Sequence, residues 1–335
     1  MLFCTLFDSN YISKGIALYL SIAKHTDDFS MYVMAMDRKC EEMLKELNFP
    51  NIIVECIEDN YTEDLQRAKS NRTRAEFCWT CGSFVTHRFL TKYNLPNITY
   101  LDSDLMFFSS PQIIFDELEE KNASIGLSPH FIPYNATGKY CVQYCFFKND
   151  KDGLSALTWW KNECINWCYS QIEDGKYGDQ MYLSQMPHLF NNVCDIDYRG
   201  AGMAYWNEFA YTFRKEGLIH KGLTYKYVFF HYSGFNIKLD GNEIIVKECY
   251  PVSDYLRENF VMPYVELIQD VYLNYLNSNV GNIRYIKGYT KSAVVLHKVA
   301  YTLMRFDWFH KLKAYLLRRK YTRRRSPYSE RNSAK

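Results

Sequence analysis

Short apolar runs alternate with segments of helical period through the first 130 residues, and that alternation narrows the available folds more than any other feature. "MLFCTLFD" is an apolar run ending in polar residues, and "YISKGIALYLSIAKH" then carries Ile12, Ile16, Leu20 and Ala23 at helical spacing. "MYVMAMD" at 31–37 reads as a second strand, "CEEMLKELNF" as a helix and "NIIVECIE" as a third strand. Strands that alternate with helices build a mostly parallel α/β sheet with helices on its faces. With 335 residues, 47% apolar and 17% aromatic, the chain can fill one large core and still carry an appendage. That balance lies far from the composition of disordered proteins.

The pattern continues with a helix around "AEFCWTCGSFVTHRFLTKY", which leads through "NLPN" into the strand "ITYL". Ser109, Ser110 and Pro111 supply a cap and first turn for the helix "PQIIFDELEEK". Asp152 is placed to cap "GLSALTWWKNECINWCYSQIED", which sets Leu157, Trp160, Cys164 and Trp167 on one face. A polar loop then runs into the short helix of "GKYGDQMYLSQMP", and strand-like "NVCDIDY", the loop "RGAGMAYWN" and the aromatic strand "YKYVFFHYSGF" follow.

The 40 basic and 38 acidic residues nearly cancel overall but not locally. Between Lys311 and Arg325 stand eight Lys or Arg and no acid. At the amino terminus Asp8 interrupts the first apolar run early and no basic start precedes it, so no export signal is visible and a cytosolic location is expected. Eleven cysteines in that setting point to reduced, buried thiols. The CxxC of Cys78 and Cys81 has no second CxxC to complete a zinc site.

The chemistry-bearing feature is "YLDSDLMFFSSP", in which Asp102 and Asp104 follow a buried strand and are flanked by apolar residues. Carboxylates in such surroundings need a cation or hydrogen-bond donors, and ligands of open α/β sheets bind at the carboxyl ends of strands. Solvated loop carboxylates are the plain alternative. Aspartyl-phosphate chemistry is disfavoured, because Leu105 and Met106 follow the pair and the pair is mid-chain. A dinucleotide oxidoreductase is disfavoured too, since no GxGxxG follows the first strand. A divalent cation bridging protein and diphosphate remains, with His231 of "VFFHYSGF" as a third ligand or, alternatively, a satisfied core histidine.

Four motifs in order, "FDSNY", "YLDSD", "YGDQMYL" and "HYSGF", resemble the GT-A glycosyltransferases. They are most similar to family 8, which includes bacterial lipopolysaccharide sugar transferases and glycogenin relatives. The resemblance covers roughly residues 1–238. It implies a GT-A α/β fold with a Rossmann-like, mostly parallel sheet, forming a nucleotide-sugar-binding catalytic domain over 1–250, followed by a C-terminal helical, basic region over 251–335.

By resemblance, Leu6, Asp8 and Asn10 hold the base and ribose, and Arg74 lies near the diphosphate. Asp102, Asp104 and His231 take Mn²⁺ or Mg²⁺, with Asp102 and Ser103 also touching the donor. Asp179 and Gln180 fall beside the anomeric carbon in an enzyme that retains configuration. For Asp8 a loop or capping carboxylate is the alternative reading, for Arg74 an exposed helix residue, and for Asp179 a helix cap. The chain departs from the family twice: Cys141 and Gln143 stand where an Asn-x-Gly is usual, and Lys238, the candidate phosphate ligand by resemblance, lies one position after the usual lysine, whose place Ile237 takes. "GAGMAYWN" could line the acceptor side through Trp206, with core packing as the plainer reading.

From Ser292 onward Val295, Val299, Leu303, Phe306, Phe309, Leu312 and Leu316 recur three or four apart among many cations. Such a stripe suits an interfacial helix on an anionic membrane surface rather than a span. Packing on the catalytic domain is the alternative, and no nucleic-acid module stands upstream. The resulting expectation is a metal-dependent transferase that moves a hexose from a UDP-sugar to a lipid-linked or surface-polysaccharide acceptor, peripheral at the inner face of the cytoplasmic membrane. A sugar-1-phosphate nucleotidyltransferase and an inactive GT-A relative serving a glycan-assembly complex are the alternatives.

Overall fold

Period-two burial in the first strands dictates a sheet covered on both faces. In β1 (Leu2–Phe7), Phe3 and Phe7 face one core while Cys4 and Leu6 face another, and β2 (Ser30–Ala35) divides Met31 and Val33 from Tyr32 and Met34 in the same way. α1 (Ile12–Ala23) connects these strands, and α2 (Arg38–Leu47) leads to β3 (Ile52–Cys56), all three strands being parallel. The computed structural model describes residues 1–132 and 135–290.

α3 (Glu63–Asn71) and α4 (Arg74–Lys92) follow, the latter started by a reciprocal cap between Thr73 and Glu76. β4 (Asn97–Leu101) joins β1 in parallel, and the short β5 (Leu105–Phe107) leaves the main sheet. Pro111 sits at the N-cap position of α5 (Gln112–Glu120), so this helix starts just after the proline rather than on it. β6 (Ile125–Pro129) and β7 (Tyr140–Lys148) are antiparallel to each other, and β7 is antiparallel to β4. α6 (Lys151–Asn166) is capped by Asp150, whose Oδ1 accepts from Gly153 N at 2.9 Å, and not by Asp152. The reason is register: Asp150 precedes the first helical residue, whereas Asp152 lies within the first turn and accepts from Asn192. Leu157, Trp160 and Cys164 are buried as their spacing predicts, while Trp167 is already in extended backbone at the helix end.

α7 (Gln180–Leu183), α8 (Met186–Leu189) and β8 (Val193–Asp195) complete a seven-stranded sheet of order β3-β2-β1-β4-β7-β6-β8. α1, α2 and α5 pack on one face and α3, α4, α6 and α7 on the other. Next come β9 (Ala201–Ala204), the meander β10 (Thr212–Arg214), β11 (Gly217–His220) and β12 (Leu223–Tyr225), and then β13 (Phe229–His231). β13 pairs antiparallel with β5 and parallel with β9, and this small second sheet delivers the last site residue.

β14 (Phe235–Asp240) and β15 (Glu243–Glu248) form a hairpin, α9 (Asp254–Leu256) and α10 (Met262–Asn274) follow, and β16 (Asn282–Lys287) adds in parallel to β15. Tyr264, Val265, Ile268 and Val271 of α10 enter the same core as Phe3 and Ile16. The eleven cysteines are free thiols, eight of them buried, as the composition suggested. No helix among the described residues is long and apolar enough to cross a membrane. The basic amphipathic segment expected from Ser292 lies outside the described residues.

Candidate active site

β4 ends at Leu101, and Asp102 keeps one last ladder bond, its N–H donating to Gln143 O at 3.2 Å. Two residues later the chain enters β5, where Leu105 lies opposite His231 and Asp104 O accepts from Tyr232 N at 2.9 Å. The antiparallel register therefore brings His231, 127 residues away in sequence, against the acidic pair. Its Nε2 stands 3.1 Å from Asp104 Oδ1 and 3.6 Å from Asp102 Oδ2. One ligand atom from each of the three falls within a 4.8 Å sphere of separations, the only such group among the described residues. The carboxylates keep 27% and 17% side-chain exposure and the imidazole 6%, so the group opens outward through its oxygens.

The hydrogen-bond network behind His231 fixes its tautomer. Gln143 Nε2 donates to Ser128 Oγ at 2.7 Å, which leaves Gln143 Oε1 as an acceptor, and Oε1 lies 2.9 Å from His231 Nδ1. Nδ1 must therefore carry a hydrogen. A bare Nε2 lone pair 3.1 Å from a carboxylate oxygen would be repelled, so a cation belongs between them, either a proton or a metal ion. Adjacent ligands of a small octahedral ion are about 3 Å apart, and two hard oxygens with one imidazole suit Mn²⁺ or Mg²⁺. The residues fit that role.

Electrostatics agree with a site built for positive charge. Burial, opposed by the His231 charge and reinforced by Asp104, raises Asp102 to about 7. Burial also acts upward on Asp104, but the charge and hydrogen bond of His231 override it and hold this carboxyl at about 2. For His231 burial acts downward, yet Asp104 raises the imidazole well above its ordinary value. In a carboxylate pair this close, one proton or one cation is bound more tightly than either group would hold it alone.

Gln143 occupies the first departure from the family pattern, and its buried amide holds the third ligand. Gly202 makes room for it: with φ at +93°, a Cβ here would lie 2.6 Å from Gln143 Nε2 and 3.0 Å from Ser128 Oγ. Trp206 stands edge-on to His231 at 5.4 Å between ring centres and donates its N–H to His130 O. Asn207 is fully buried and braces the same loop through Ala204 N, Gly202 O and His130 O.

Asp8 has a loop-holding role. Its Oδ1 accepts from the N–H groups of Asn10 and Tyr11 at 2.9 and 3.1 Å, and its Oδ2 pairs with Arg74, the first residue of α4. Arg74 is otherwise 65% exposed in its side chain. Leu6 is buried on β1, the Asn10 side chain is exposed, and Ser103 sits in the turn between the two aspartates.

Asp179 is buried at the N-cap position of α7 but makes no side-chain cap, contrary to the capping alternative. The indole N–H of buried Trp160 holds its carbonyl at 2.9 Å. Burial first, then the neighbouring Asp102 charge, pushes its carboxyl well above the ordinary range. Gln180 donates through Nε2 to Thr137 O and Oγ1 at 2.9 and 2.8 Å, leaving Oε1 without a partner among the described residues. Lys238 projects from β14 at 60% exposure and faces Asp240 at 3.6 Å, while Ile237 is turned into the core. The family's lysine position is thus apolar here, and Lys238 is on the opposite side of the strand.

One charged residue escaped the sequence reading. Lys14, in the first turn of α1, is only 5% exposed and lies within electrostatic reach of Asp104. Its signal was present as a lone cation in the otherwise apolar "ISKGIALYLSIA".

No family model matches the chain. It is 30% identical over 274 residues to the uncharacterized protein YfnD of Bacillus subtilis (strain 168), covering 78% of this chain and 87% of that one. To the uncharacterized protein YfnF of the same organism it is 29% identical over 247 residues, covering 70% and 82%. Among solved structures, the galactosyltransferase LgtC in complex with donor and acceptor sugar analogs matches with a TM-score of 0.54 at 14% identity, over 81% of this chain and 96% of LgtC. An active-site mutant of LgtC matches with a TM-score of 0.50 at 13% identity over the same shares. The chain belongs to the family of YfnD, and its fold is that of the GT-A glycosyltransferases of family 8.

Proposed function

We propose that the protein transfers a hexose from a nucleotide diphosphate sugar, with UDP-hexose as the donor, to a glycan or glycolipid acceptor with retention of configuration. The observation that carries this reading is the meeting of Asp102, Asp104 and His231 at the end of β4 in a GT-A fold. Mn²⁺ or Mg²⁺ held there supplies Lewis-acid charge to the diphosphate and its departing nucleotide. The other demands fall on side chains of this chain.

Asp179 is buried with no donor from another described residue, so hydroxyls of the transferred sugar are the partners that would satisfy it. Gln180, pinned through Nε2 by Thr137, offers Oε1 to positive charge developing at the anomeric carbon. In the transfer the bond from that carbon to the diphosphate oxygen breaks as the acceptor oxygen bonds to it. The acceptor proton passes to a phosphate oxygen of the leaving nucleotide, so no strong protein base is required. The loop of Leu6, Asp8 and Asn10, stiffened by the Asp8–Arg74 pair, holds the nucleoside. The basic, aromatic sequence after Ser292 supports an acceptor anchored at an anionic membrane surface.

The test is a thermal-shift screen of UDP, GDP, CMP and their sugar conjugates with and without Mn²⁺, on wild type and Asp104→Ala. A Mn²⁺-dependent rise with uridine ligands that vanishes in the variant supports the proposal, because a ligand that binds the native state stabilises it by mass action. A wild type indifferent to every nucleotide would remove it.

A further inference from the structure

We infer that Lys14 binds the diphosphate of the donor, in place of the lysine that the family carries after the fourth motif and that Ile237 replaces here. The inference rests on the transferase reading above and adds to it the residue that neutralises the phosphates. Two carboxylates and a neutral imidazole cancel the charge of a divalent ion, which leaves a nucleotide diphosphate still in need of cations. The basic residues suggested by resemblance are poorly placed to serve: Arg74 is held by Asp8, and Lys238 lies exposed beside Asp240.

Lys14 has the opposite character. It is 5% exposed, and among the described residues no carboxylate comes within ion-pair distance and no acceptor hydrogen-bonds its ammonium. Its recorded contact is the face of the Tyr11 ring, 4.2 Å from Nζ. Burial lowers the ammonium, and the charge of Asp104 acts against that lowering. A buried cation with so little compensation is costly unless an anion completes its surroundings.

Packing places it at the site. Ser21 Oγ of α1 accepts from Phe107 N of β5 at 3.1 Å, so α1 lies along the strand that follows the acidic pair. From Ser21 back to Lys14 is about 10.5 Å along the helix, and from Phe107 back to Asp104 is about 10 Å along the strand. The two residues are therefore level, in agreement with their electrostatic coupling. Close seating of this helix depends on Gly15, where a Cβ would fall 2.3 Å from the Phe7 ring. The N–H groups of Ile12 and Ser13, just ahead of Lys14, also have no acceptor among the described residues, so the start of α1 carries further unpaired donors next to the lysine.

The experiment compares wild type, Lys14→Met, Lys14→Gln and Lys14→Arg in two titrations: Mn²⁺ alone, and UDP or inorganic pyrophosphate with Mn²⁺ present. Removing the cation is expected to weaken the diphosphate ligands about tenfold to hundredfold. Mn²⁺ alone should bind at least as tightly, because a like charge near Asp104 has gone. Lys14→Arg should stay within a few-fold of wild type, and Lys14→Gln serves if the methionine variant does not fold. Diphosphate affinity unchanged in the neutral variants would overturn the assignment while leaving the transferase reading intact. Parallel loss of Mn²⁺ and diphosphate would also overturn it, since that is the mark of a structural residue. A wild type that binds Mn²⁺ but no diphosphate would remove both.

Discussion

Gln143 Oε1 accepts the Nδ1 hydrogen of His231 at 2.9 Å, and this bond decides which imidazole nitrogen meets the two aspartates. Replacing Gln143 with Leu leaves the three ligands in place but frees the ring to rotate or change tautomer. Metal affinity should fall about 10- to 100-fold, and stability by about 1–3 kcal/mol as a buried Nδ1–H loses its acceptor. Mn²⁺ titration by electron paramagnetic resonance and denaturant unfolding read the two effects separately.

Gly202→Ala should reproduce that loss without removing any polar group. The added methyl would meet Gln143 Nε2 at 2.6 Å in a backbone held at φ +93°. The amide must move, so the variant combines backbone strain of about 1–3 kcal/mol with weakened metal binding. Melting temperature and Mn²⁺ affinity should fall together, and retention of full Mn²⁺ affinity would show that Gln143 does not aim the ligand.

Metal binding should strengthen with pH across neutrality. The ion needs both carboxylates ionised and a lone pair on His231 Nε2, whereas the metal-free site holds Asp102 at about 7 and raises the imidazole well above its ordinary value. Protons therefore compete below neutrality, and binding releases them. Without metal the sign for stability is the reverse: the raised Asp102 contribution is present below its unfolded value near 4 and is lost as pH rises through about 7. Calorimetry of Mn²⁺ binding in buffers of different ionisation enthalpy, from pH 5.5 to 8, would count the protons, and a flat affinity profile would contradict the expectation.

Asp179→Asn separates substrate handling from metal binding. Loss of one carboxyl oxygen as an acceptor for sugar hydroxyls should lower kcat/KM about tenfold to hundredfold, with Mn²⁺ affinity little changed. The same change should stabilise the unliganded protein, and more so as pH rises, because the native state resists ionising this buried carboxyl. Turnover assays and melting curves at two pH values test both halves. A destabilised variant would show that Asp179 has a structural partner.

The local structure around the candidate site residues was legible because it depends on near neighbours in sequence. Asp102 and Asp104 end a strand whose apolar pattern is plain, and Asp179 with Gln180 opens a short helix after a glycine-containing loop. The cap of α6 was misplaced by two residues, since Asp150 and Asp152 both satisfy the local preference and only the helix start chooses between them. Asp8 illustrates a subtler limit: its use as a loop carboxylate, holding Asn10 and Tyr11, was one of the two readings, but its pairing with Arg74 was not legible.

The sequence by itself determined the alternation of strands and helices, and with it the acidic pair at a strand end, because periodicity and flanking turns act over a few residues. Only the tertiary structure decided that Gln143 orients His231, that Gly202 leaves room for it, and that Lys14 comes within electrostatic reach of Asp104 while Lys238 faces Asp240. Those choices depend on the β5–β13 register and on how α1 lies along β5. Contacts between segments so far apart come from packing a shared core, and no local pattern encodes which side chains that packing brings together.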